Sequence, residues 1–138
     1  MTLESISLIG VIGATIASIV IGFIWYGPLF GKLWITMMGW TPEEIDSQKQ
    51  SGMAKSYTLM TLGSLVSAYI LGNFVQLAGA VTAWDGITVG FFAWLGFAVP
   101  LLLSSVIWEG KPWKLYGLNT GYQLAAWCAM GAILAIWA

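Results

Sequence analysis

The chain has no histidine, no arginine and a single cysteine, Cys128. Each absence removes a class of chemistry. Without imidazole there is no His-based metal centre, no axial His for a haem iron and no His base for a serine nucleophile. Without guanidinium there is no bidentate clamp for phosphate. One thiol makes neither an intrachain disulfide nor a metal site. Charge is scarce as well. Only 8% of the 138 residues are charged, against roughly 25% in a soluble protein. Five lysines and a net charge of −1 give no basic field for nucleic acid.

What is present is apolar. Hydrophobic residues make up 59% of the chain, too many to leave a water-covered surface. The expectation is an all-α integral membrane protein, because an isolated segment satisfies its own backbone in lipid only as a helix. A span needs about 20 apolar residues, and four stretches qualify: 6–26, 57–80, 87–108 and 115–137. They predict one four-transmembrane-helix bundle over 1–138, with the lipid bilayer as its first partner. The first stretch reads as a retained span and not a signal peptide. Its first charge is Glu4, and no A-x-A-like site follows.

Lysine gives direction. Lys32, Lys49 and Lys55 lie between spans one and two, and Lys111 and Lys114 between spans three and four. The link between spans two and three carries Asp85 and no lysine. The positive-inside rule then puts both Lys-bearing loops in the cytoplasm and both termini outside. Between spans one and two, "TPEEIDSQKQSG" (41–52) predicts a short interfacial or cytoplasmic helix. Thr41 would cap it, Pro42 suits its first position, Glu44 would complete a capping box and Gly52 would stop it.

Two exits from the membrane look alike. "IWYGPLFGKLW" (24–34) closes span one and "IWEGKPWKLYG" (107–117) closes span three. Ile24, Trp25 and Gly27 match Ile107, Trp108 and Gly110; one gap later Phe30, Lys32 and Leu33 match Trp113, Lys114 and Leu115. Two parallel-related helical hairpins would produce this pattern. So would the ordinary enrichment of Trp, Tyr and Lys at headgroup level. Pro28 should end the first helix near Tyr26, and 28–40 should lie along the interface with Phe30, Trp34 and Trp40 in the lipid boundary. Pro100 should kink span three.

Small residues at every fourth position predict helix-packing faces. Span one offers Gly10, Ala14, Ser18 and Gly22; span two Ser64, Ala68 and Gly72; span four Gly117, Gly121, Ala125 and Ala129. No charge falls in mid-span. Uncharged polar residues do: Asn73 and Gln76 in span two, and Asn119 and Gln123 in span four with Tyr122 beside them. They would line a polar path or bond neighbouring helices. No catalytic set assembles, so the expectation is a non-enzyme with no metal and no cofactor.

The stretches "WYGPLFGKLW", "WEGKPWKLYGLNTGYQL" and "MGAILAIW" resemble the small bacterial four-helix membrane proteins of the DUF1761 family, a family of unknown function. The resemblance covers nearly the whole chain and implies the fold and the membrane location, but no activity. It marks Trp25, Tyr26, Gly27, Pro28, Lys32, Glu109, Gly110, Lys114, Asn119 and Gly121 as family-type positions, with Lys111 where relatives would carry Arg. A candidate interfacial site follows from it: Glu109 with Lys32 and Lys114, roofed by Trp25, Tyr26 and Asn119.

The leading functional expectation is a structural or accessory subunit, a homo-oligomer or part of a larger membrane complex. Its apolar, aromatic surface could also sit against pigments or quinones. The alternative is an oligomeric transporter or channel for a small or hydrophobic solute, and a third reading is an enzyme acting on lipid through Glu109. A water-filled crevice reaching mid-membrane would favour transport, and a dry, fully packed bundle would oppose it.

Overall fold

The computed structural model describes residues 6–50 and 54–137, and all regular structure among them is helical. Glu4 and Gly52 lie outside the described residues. The longer helices are α1 (Leu8–Ile24), α4 (Ala54–Leu77), α5 (Ala83–Ala93) and α8 (Trp113–Ile136). Shorter ones are α2 (Gly31–Met38), α3 (Pro42–Gln50), α6 (Val99–Leu102) and α7 (Ser104–Ile107). Their starts are legible in local chemistry. The Ser7 hydroxyl accepts the Gly10 N–H (3.3 Å) at the head of α1, and Thr41 accepts the Glu44 N–H (3.1 Å) at the head of α3. Thr82 and Asp85 form a reciprocal capping box on α5.

Three runs among the described residues are long and apolar enough to cross a bilayer: Leu8–Leu29, Ala54–Leu77 and Ala83–Ile107. The fourth long helix, α8, equals α4 in length but carries Asn119, Thr120, Tyr122 and Gln123 in its first half. Lipid offers such groups no partner, so the favourable place for them is against protein. Accordingly α8 packs against α5 most extensively, then against α1 and α4. Thr120, Met130 and Leu134 are among its buried residues.

The α5–α8 contact is main chain on main chain. Gly86 and Gly90, a G-x-x-x-G pair on α5, face the backbone of Gly131 and Trp127, and a Cβ at Gly86, Gly90 or Gly131 would run into the opposing carbonyl. On its other side α8 meets α1. Gly10 and Gly13 approach Trp137, Gly22 approaches Tyr122, and Ala14 has no exposed surface. These pairings run α1 and α5 antiparallel to α8. Gly72 of α4 meets Leu134, closing that end of the bundle. The segments carrying Lys32, Lys55, Lys111 and Lys114 thus gather at the opposite end.

The small-residue face of α1 (Gly10, Ala14, Ser18, Gly22) is therefore used within the chain. On α8, Gly121 abuts the Trp25 ring (a Cβ there would lie 3.1 Å from it), and Ala125 and Ala129 are half-buried. Gly117 corrects the expected series, because it is exposed and faces open space. Steps of four drift about 40° around a helix of 3.6 residues per turn, so the end of such a series leaves the seam.

Pro100 breaks the third apolar run as expected. The segment Trp94–Ala98 widens into a π-turn, with the Val99 N–H bonded back to the Trp94 carbonyl, before α6 and α7. The first run does not stop at Tyr26. It continues through a second π-turn, Trp25–Leu29, closed by the Phe30 N–H on the Trp25 carbonyl (2.9 Å) and bent at Gly27 ahead of Pro28. The similar segment after α7 instead turns at Gly110 (φ 68°) and enters α8 directly from Pro112. The two matching exits thus differ in local geometry, one leading into α2 and the other into α8.

Gly131→Ala places a methyl group on the Gly86 carbonyl and is expected to destabilise by about 1–3 kcal/mol. Gly117→Ala, in open space, should gain up to about 1 kcal/mol of helix propensity. Thermal midpoints of the two variants in one detergent check this, and equal shifts would refute the α5–α8 contact.

Candidate functional site: a crevice between α1, α4 and α8

Only the C-terminal half of α4 is packed inward. Its buried residues are Ala68, Leu71, Gly72, Asn73 and Val75. The N-terminal half stands away from α1 and α8 and leaves a crevice of about 950 Å³. Ser18, Gly22, Phe23, Tyr26 and Gly27 come from the α1 side; Tyr57, Met60, Ser64 and Ser67 from α4; Asn119, Tyr122, Gln123, Trp127 and Met130 from α8. Trp34 and Met38 of α2 close one end. Among the described residues, none that lines it is charged.

The wall is held by bonds between helices. The Tyr26 hydroxyl donates to Asn119 Oδ1 (2.7 Å). The Tyr122 hydroxyl donates to the Ser18 carbonyl (3.1 Å) and lies 3.3 Å from Ser18 Oγ. Just outside the crevice the Trp25 indole N–H donates to the Leu118 carbonyl (3.0 Å). On the far side of α8 the Trp94 indole does the same to Thr120 (2.8 Å), and the Tyr116 hydroxyl donates to Val99 (2.8 Å). Both π-turns thus begin at a tryptophan anchored on an α8 carbonyl.

Aromatic rings run from the surface into the crevice. Trp40 meets Trp34 at 5.2 Å, Trp34 meets Tyr26 at 5.6 Å, and Tyr26 meets Tyr122 at 5.4 Å, all edge to face. Phe23 and Tyr57 meet at 5.8 Å between α1 and α4. Two amides remain free to bond something else. The Asn119 Nδ2 group and the whole Gln123 carboxamide have no hydrogen-bond partner among the described residues.

The expected site residues are thus divided. Tyr26, Asn119 and Gln123 come together in the crevice, and Trp25 braces it from behind. Asn73 and Gln76 are not part of it. Asn73 is 2% exposed, gives its amide to the Tyr69 carbonyl (2.9 Å), and leaves Oδ1 without a partner among the described residues. Gln76 lies on the exposed face of α4. The cluster of Glu109 with Lys32 and Lys114 does not form. All three are exposed, and Glu109 makes no ion pair among the described residues. The short turn at Gly110 holds Glu109 on the surface. Trp34 also differs from the expectation of a lipid-boundary residue, because the bend at Gly27 carries α2 back over the crevice. Ser18 and Ser64 read as packing residues in the sequence, yet both also line this space.

The chain matches the family model described as a protein of unknown function (DUF1761) over residues 9–135, and it belongs to that family. A UPF0591 membrane protein of Schizosaccharomyces pombe is 29% identical over 91 residues, 64% of this chain and 62% of the relative. The chain therefore matches less than two thirds of that protein's length. Because the relative is a yeast protein, the likeness is not confined to bacteria. No solved structure matches.

Tyr26→Phe removes the donor to Asn119 and is expected to cost about 1 kcal/mol of stability. Trp108→Phe, at a ring 84% exposed, should stay within about 0.5 kcal/mol. Denaturation of both variants in matched bicelles checks the difference.

Proposed function

We propose that this DUF1761 member is a four-span membrane protein that takes a small lipophilic molecule into the α1–α4–α8 crevice and holds or carries it, without catalysing its conversion. The observation that carries the reading is the crevice of about 950 Å³, uncharged among the described residues, with unengaged amides of α8 facing it. Its size lies in the range of small-molecule sites, about 300–1,000 Å³. At about 1.5 Å per residue, α8 is about 36 Å long, enough for a fourth span. The Lys-bearing segments mark the cytoplasmic end, with both termini outside; in a bacterium this is the inner membrane. The accessory-subunit reading has less support, since the small-residue face of α1 is already occupied by α8.

Two measurements test this. Native mass spectrometry after gentle extraction should find a co-purifying small molecule on the wild type, and Ser64→Trp, which fills the crevice, should lose it. Retention unchanged by Ser64→Trp would refute the site. In a Cys128→Ala background, Glu109→Cys and Val81→Cys should react with an impermeant thiol reagent from opposite sides of the membrane. Labelling from the same side would refute the four-span arrangement.

A further inference from the structure

The chemistry of the crevice narrows what it holds. Among the described residues, its lining has no Lys, Asp or Glu. A charged headgroup there would lose its water and gain no counter-charge, at a cost of several kcal/mol. The occupant is uncharged. It must also answer two polar groups. Asn119 presents its amide N–H groups because Tyr26 occupies its oxygen. Gln123, four residues on, presents its carboxamide with no partner among the described residues. Four-residue spacing puts the two on one face of α8, about 5–6 Å apart at Cβ. An unanswered amide is costly at membrane depth, and Gln123 sits about 15 Å into a helix about 36 Å long. The pair therefore offers donors at two points, one turn apart.

The walls add a shape. Trp34, Tyr26 and Tyr122 stand edge to face along one side, a surface against which a further ring packs favourably. The side between α1 and α4 is lined by Phe23, Tyr57 and Met60, with Ser18, Ser64 and Ser67 further along the two helices. Phe23 and Tyr57 meet there, at 54% and 43% exposed, and Met60 lies beside them. In a bilayer this side faces acyl chains.

Resting on the crevice as a binding site, we infer that its occupant is an uncharged ring compound with two oxygen acceptors and a lipid tail, the chemistry of a quinone or quinol. The ring lies against Tyr26, Trp34 and Tyr122. Asn119 and Gln123 donate to the ring oxygens, and the tail leaves beside the Phe23–Tyr57 pair, past the exposed Met60.

The test uses the full chain in nanodiscs of uncharged phospholipid, titrated with decylubiquinone and read by native mass spectrometry. Decanol and decyltrimethylammonium are the ring-free and the charged comparisons. Gln123→Met is the first variant. Gln123 bonds nothing among the described residues, so its replacement should leave the thermal midpoint unchanged while weakening decylubiquinone about fivefold, the worth of one hydrogen bond. Asn119→Ala is the second variant and should weaken it by a similar factor. Binding of decanol or decyltrimethylammonium as tight as that of decylubiquinone, and blocked by Ser64→Trp, would overturn the ring-and-acceptor assignment and leave the crevice reading standing. Decylubiquinone binding that is blocked by Ser64→Trp but unmoved by both amide variants would overturn the assigned donors. No binding of any probe, with Ser64→Trp equal to the wild type, would overturn both readings.

Discussion

Where Gly86 and Gly90 lie on the main chain of Gly131 and Trp127, no side chain separates α5 from α8. That contact fixes the face α8 turns to α5, and with it the faces left for α1 and α4. Pressed to α5 on one side, α8 presents its other faces to α1 and α4, and its polar first half is turned away from lipid. The indoles of Trp25 and Trp94 then reach α8 carbonyls from opposite sides. Each sits at the start of a π-turn, where the widened backbone redirects the next helix. Beyond Trp25, the bend carries α2 over the crevice. Beyond Trp94, it lets the run pass Pro100 and still pack on α8.

The crevice is a consequence of this arrangement. With α1 and α5 both committed to α8, α4 packs by its second half alone, through Ala68, Leu71, Gly72 and Val75. Its first half is long and apolar but has no close seam. In water such a gap would collapse or fill with solvent. In a bilayer the drive to close it is weak, because lipid tails are as apolar as leucine. The gap persists where the polar groups of α8 face it.

Much of the helical layout was legible in the sequence. Length and hydropathy mark the long helices, Thr41 marks a start, and Pro100 marks a break. Lysine placement agrees with the gathering of Lys-bearing segments at one end. The site was legible only in part. Asn119 and Gln123 share a helix face by spacing alone, and that spacing was sufficient to pair them. Trp34 was not legible, because an aromatic ring after a membrane exit reads equally as a lipid anchor or a crevice wall. The direction is decided by the bend at Gly27, which no single residue announces. The cluster of Glu109 with Lys32 and Lys114 failed for a related reason: family-type positions at the same end of the spans need not meet, and all three side chains stand exposed. Gly86 and Gly90 carry a readable G-x-x-x-G signal, but its importance depends on Gly131 lying opposite, which is tertiary information.

The side of the crevice beside the Phe23–Tyr57 pair has a further consequence for how the proposed site would be supplied. A molecule arriving there must first dissolve among the acyl chains, so the concentration the site meets is set by partitioning between water and membrane. A compound that prefers the bilayer is enriched at this mouth far above its aqueous level. If the crevice holds the proposed occupant, modest intrinsic contacts then suffice for high occupancy, and water solubility becomes a poor guide to what would bind there. Selectivity would come from two successive filters, the bilayer choosing what accumulates and the amides of α8 choosing what stays.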